Sequence, residues 1–80
     1  MKTIKYLRMT AGQSQRELAA RMGTTQPALS AWENGRGTMP EARRGLALES
    51  LRRGLGKAIL GVGLQDLDLP WDEVSARLRK

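Results

Sequence analysis

Eighty residues with 40% apolar and 28% charged side chains suit one small globular domain with little core to spare. The chain has neither cysteine nor histidine. That excludes disulfides and thiolate metal sites and removes the commonest general base and metal ligand, so no metal, no cofactor and no enzyme activity is expected. No apolar run approaches the roughly 18 residues of a membrane span, and the start MKTIKYLRMTAGQ lacks a signal peptide's apolar stretch, which points to a soluble, cytoplasmic chain with no membrane partner. The net charge of +6 and pI of about 10.8 favour an anionic partner. Residues 1–57 hold eleven Lys and Arg against four Asp and Glu, a balance of +7, whereas residues 58–80 hold three against four, a balance of −1. The anion-binding work therefore falls to the first part of the chain.

The spacing of Ile4, Leu7 and Ala11 predicts a first helix from Thr3 to Thr10, ended by Gly12. The second helix has the clearest start: Ser14 followed three residues later by Glu17 is a capping box, in which each side chain satisfies a free N–H near the other. Leu18, Ala19 and Met22 form its inward stripe, and Gly23 suits the left-handed residue that closes a helix. The third helix opens on Thr25 as N-cap, carries Pro27 in its first turn where a missing N–H costs nothing, and stops at Asn34-Gly35. That confines it to Gln26–Glu33, with Leu29 and Trp32 facing inward. Two turns are too few for independent stability, so tertiary packing must hold it.

A fourth helix is expected to start with Thr38 or Met39 as cap and Pro40 in its first turn, with Leu46, Leu48, Leu51 and Leu55 as its apolar positions. Glycines 54, 56, 61 and 63 then interrupt KAILGV, which reads as a short helix, a strand or an apolar loop, a broken helix being favoured. A last helix begins at about Pro70, with Asp72 and Glu73 in its first turn and Arg77, Arg79 and Lys80 in its last, as the helix dipole prefers. Trp71, Val74 and Leu78 form its apolar stripe, readable as core or as a dimer seam; the seam is favoured. Asp66, Asp68, Asp72 and Glu73 read as an acidic loop and helix start rather than a cation site.

Residues 14–34 therefore form two short helices around a tight turn, a helix-turn-helix. Counting from Gln15, the fourth, fifth and eighth positions are Leu18, Ala19 and Met22. The ninth is Gly23, and the fifteenth and eighteenth are Leu29 and Trp32. Ala19 must be small because the second helix crosses there. Thr24 departs from the usual apolar tenth position.

With these residues in place, residues 3–39 resemble the phage repressor and Cro (Xre) helix-turn-helix family; GTTQPALSAWENGRGTMP follows its turn, recognition helix and loop. The resemblance implies an all-α, lambda-repressor-like bundle of about five helices. A DNA-binding domain over 1–55 is expected, and residues 56–80, beyond the resemblance, are expected to be a C-terminal extension for dimerisation or partner binding. The resemblance implies base contacts from Thr25, Gln26, Ala28 and Ser30, and phosphate contacts from Gln15, Asn34, Arg36, Gly37 and Arg43, with the Gly35 backbone and Arg44 extending that grip. Glutamine can bond adenine N6 and N7, and a threonine methyl can touch thymine's. Pro27 and Ala31 stand where many relatives carry polar readers. The resemblance further implies an ion pair between Arg8 and Glu33. Tyr6 reads as a rim residue or a phosphate contact, Trp32 as core, and Arg52 and Arg53 as a solvated face.

The function expected is that of a homodimeric, sequence-specific transcriptional repressor on double-stranded DNA with a pseudo-palindromic operator. The alternative is an antitoxin or interaction module that regulates its own operon and binds a toxin or another regulator through residues 56–80. Co-purification with a neighbouring gene's product separates the two.

Overall fold

The computed structural model describes residues 1–79 and contains five α-helices among them: α1 (Thr3–Thr10), α2 (Gln15–Arg21), α3 (Gln26–Glu33), α4 (Glu41–Leu55) and α5 (Trp71–Leu78). Two 3-10 turns, Gly56–Ile59 and Gln65–Asp68, lie between α4 and α5. Lys80, expected in the last turn of α5, lies outside the described residues. No helix among them is long and apolar enough to cross a membrane.

Local chemistry accounts for the ends of the helices. The Ser14 hydroxyl accepts from the Glu17 N–H at 3.0 Å, and the Glu17 carboxylate accepts from the Ser14 N–H at 3.1 Å. The bond from the Ser14 N–H is the largest cause that holds the Glu17 carboxyl below its ordinary range. After α2 the chain turns through Gly23 at φ +68°, while the Thr24 N–H reaches back to Ala19 O at 2.9 Å. This closes α2 and aims α3 across it.

Helix α4 departs from the expected start. Pro40 is the N-cap and the helix begins at Glu41, because Met39 is drawn into the core, where it is 1% exposed. Leu46 is also displaced from its expected inward place. Ala47 and Leu48 take the buried positions, and Leu46 is 39% exposed. The end of α2 meets the start of α4, where Arg43 donates to Met22 O. Gly54, near the end of α4, lies against Ala11 and Gln13 before α2. The two helices therefore run in opposite senses.

One core joins both ends of the chain. Ile4, Leu7, Leu18, Met22, Leu29 and Leu51 cluster with Ile59, Val62, Leu67 and Val74. The expected boundary after residue 55 is thus no break in packing. The broken reading of KAILGV resolves into a 3-10 turn that buries Ile59, followed by a bend that buries Val62. Backbone bonds tie the termini: Thr3 N–H donates to Leu69 O at 2.9 Å, and Trp71 N–H to Met1 O at 2.8 Å. The acidic residues do more than line a loop. Asp66 caps its own turn by accepting from Gly63 N–H at 2.7 Å and pairs with Arg77 across to α5, and Asp68 pairs with Arg44 of α4.

The stripe of α5 is corrected by this packing. Val74 is 1% exposed within the chain's own core, so it is unavailable to a dimer seam. Leu78 packs beside Gly61, where any Cβ would overlap it. Trp71 stacks on Tyr6 of α1, ring centroids 4.2 Å apart and planes within 10°.

Candidate nucleic-acid interface

Helix α3 begins where the Thr25 hydroxyl accepts from Ala28 N–H at 3.3 Å, with Pro27 in the first turn. Leu29 and Glu33 are buried and Trp32 half-buried against the core. With those three inward, the helical period of about 3.6 residues puts Pro27, Ser30 and Ala31 on the outward face, flanked by Gln26 and Ala28. Thr25, Gln26 and Pro27 are exposed, and Ala28, Ser30 and Ala31 half-buried. Pro27 and Ala31, set aside in the sequence as departures from a polar pattern, hold the middle of this face. Their i, i+4 spacing carries that information. They supply apolar contact suited to a thymine methyl, and no hydrogen bond.

Behind α3 lies a polar chain that starts in the core. The Glu33 side chain is 0% exposed. Its carboxylate accepts from Arg8 Nε at 2.8 Å and Arg8 Nη2 at 3.2 Å, a two-pronged pair between α1 and α3. Arg8 also donates to Gln13 O at 2.8 Å, which anchors the loop before α2. The same carboxylate accepts from Gln15 Nε2 at 2.9 Å, and Gln15 Oε1 accepts from Gln26 Nε2 at 3.2 Å.

The direction of these bonds follows from charge. A carboxylate only accepts, so Gln15 must turn its NH2 toward Glu33 and its oxygen toward α3. Gln26 must then turn its own NH2 toward Gln15. What Gln26 retains for a ligand is one N–H and a carbonyl oxygen, the donor and acceptor that an adenine edge requires in the major groove.

After α3 the chain closes on glycines at φ +79° (Gly35) and +74° (Gly37). Gly35 N–H donates to Trp32 O at 3.1 Å and Arg36 N–H to Ala31 O at 2.8 Å. The Gly35 N–H, expected to grip phosphate, is therefore consumed by the helix end. Gly37 N–H takes no bond among the described residues, and Asn34, Arg36 and Gly37 are exposed. Arg43 differs. Its Nη1 donates to Met22 O at 3.2 Å and lies over Gly23, so it first ties the helix-turn-helix to α4. Arg44 is committed to Met39 O at 3.0 Å and to Asp68. Gln15 spends its side chain on Glu33 and Gln26, and Arg16 stands exposed beside it in the first turn of α2.

The structure thus brings Thr25, Gln26, Ala28, Ser30, Gln15, Asn34, Arg36 and Gly37 to α3 and its two flanking turns. The described residues include no group of three potential metal-ligating side chains. The open groove of about 680 Å3 between α4 and residues 63–64 is lined by Leu48, Arg52 and Leu64 and by no residue of α3.

The helix-turn-helix family model matches residues 4–51, more than half of the chain. No curated protein and no solved structure matches it. The matched span runs from Ile4, the first buried apolar residue of α1, through the polar chain and α3 to Leu51 in the core of α4. The chain therefore belongs to the Xre-type, Cro/C1-type helix-turn-helix family and is a DNA-binding regulator.

Proposed function

We propose that the protein is a homodimeric, sequence-specific repressor that binds a pseudo-palindromic operator. The observation that supports specificity is the oriented amide of Gln26, held outward by a bonded chain rooted in the buried Glu33 carboxylate. Thr25, Pro27, Ala28, Ser30 and Ala31 complete the base-facing surface with few polar groups. Sequence preference then combines one glutamine–adenine contact, thymine methyl contacts and DNA shape. Arg36, Asn34 and the Gly37 N–H hold the phosphates beside each half-site, Arg16 adds a cation on the other flank, and Arg43 fixes the helix-turn-helix against α4.

Repression is the simplest outcome of such binding, because a folded domain seated in the major groove of a promoter stands in the path of polymerase. Residues 56–79 spend Ile59, Val62, Leu67 and Val74 on the chain's core, so this segment is part of the DNA-binding domain's own fold, and the repressor reading is preferred to the antitoxin one.

Footprinting on the DNA upstream of the protein's own gene, together with selection from random duplexes, tests this reading. Two symmetric half-sites about 34 Å apart, one helical turn, are expected. Protection of a single asymmetric site, or selection of no common sequence, overturns it.

A further inference from the structure

The flank of α1 opposite α3 carries a surface that DNA reading does not use. Helix α1 has two flanks: Arg8 faces α3 through Glu33, and Tyr6 faces α5 through its stack on Trp71. Around that stack the structure leaves apolar side chains in solvent. Tyr6 is 37% exposed, Met9 54% and Met1 64%, and Trp71 is half-buried. Scattered exposed apolar residues are ordinary, but a contiguous group centred on stacked aromatic rings marks an interaction surface.

The charges around this group identify its occupant. Helix α1 contains no acidic residue, and Lys5, half-buried, lies one turn before the exposed Met9. The first turn of α5 contains no basic residue and begins with Asp72 beside Trp71. Neither Lys5 nor Asp72 forms an ion pair among the described residues. Duplex DNA is excluded by the acidic half and a uniformly acidic partner by Asp72 and Glu73. A surface with one basic and one acidic edge about an apolar centre is complementary to itself after a two-fold rotation, which sets α1 of one copy against α5 of the other.

We propose that Tyr6, Met9 and Trp71 form the centre of a two-fold interface between two copies of this chain, with Lys5 of each copy facing Asp72 of the other. This rests on the homodimeric reading above and replaces the seam through Val74 and Leu78 with one that leaves the core intact and α3 free.

Sedimentation equilibrium of the full 80-residue chain tests it, with binding to duplexes carrying one or two half-sites measured in parallel. Met9→Glu is expected to raise the dimer dissociation constant at least tenfold without altering the helical circular dichroism or single-half-site affinity. Lys5→Glu and Asp72→Lys are each expected to weaken the dimer, and their combination to restore it. An unchanged dimer in Met9→Glu overturns this surface and leaves the homodimer standing. Weakening by both single charge changes without rescue in the double overturns the Lys5–Asp72 pairing. A wild-type chain that stays monomeric in solution and binds two-half-site DNA as one copy overturns the homodimer itself.

Discussion

Glu33 connects the core to the exposed start of α3 through Gln15 and Gln26. Its fully buried carboxylate is stable because Arg8 and Gln15 satisfy it; removing one partner strands a charge. Glu33→Leu is expected to cost about 3–5 kcal/mol, and Arg8→Met with Glu33→Leu to recover much of that, since two well-packed apolar residues leave nothing unpaired. Chemical denaturation of the two variants checks the order. Downstream, Gln26→Ala should lose about 1–3 kcal/mol of discrimination at one base pair. Gln15→Ala should lose part of the same discrimination, and the double variant should lose no more than Gln26→Ala alone, because Gln15 reads that base only through Gln26. Arg36→Ala should weaken binding to every sequence and lower the salt slope by about one for each half-site bound. Titrations at several salt concentrations against matched and mismatched duplexes separate these roles.

At the scale of the element, α5 and the turn before it are held by charge as well as by packing. Asp66 accepts from Arg77 Nη1 at 2.9 Å and Nη2 at 2.5 Å. This bonding, with the Gly63 N–H, holds its carboxyl below the ordinary 3.8 despite burial. A carboxyl whose pKa is lower in the folded chain than in the unfolded one adds stability at pH values above its unfolded value. That contribution disappears as pH falls through the folded value. Asp66→Asn should therefore melt at a lower temperature than wild type at neutral pH, with the difference shrinking as pH drops below 3.8. Thermal melts from pH 7 to pH 2 check the convergence. Glu17 is shifted the same way by the Ser14 N–H, so Asp66→Asn should retain some acid sensitivity, and adding Glu17→Gln should remove more of it.

For the whole molecule, the important fact is that the last third of the chain completes the core begun by the first. Ile59, Val62, Leu67 and Val74 are each at most 2% exposed, and Lys2 reaches Asp68 O at 2.7 Å while its backbone bridges Pro70. A chain cut after Leu55 should lose cooperative unfolding and DNA binding together, although it retains every residue proposed to face DNA. Leu67→Ala in the full chain should cost about 2–5 kcal/mol, a large share of the ~5–15 kcal/mol available to a small domain. Circular dichroism melts of both variants measure this.

The first three helices and their caps were readable from the residues alone, because their signals are local. A serine and a glutamate three apart, a proline in a first turn and a glycine after the last act within one turn of backbone and need no distant partner. The same holds for the inward places of Leu18, Met22 and Leu29. Tertiary structure decided everything that depends on competition for one core. It drew Met39 inward and turned Leu46 out, and it gave Val74 to the chain's own interior. It set Asp66 against Arg77 across a bend that glycine-rich spacing could not specify. It also linked Gln26 through Gln15 to Glu33, because bonds between side chains eleven and eighteen residues apart leave no trace in local periodicity and exist only when α2 and α3 pack against each other.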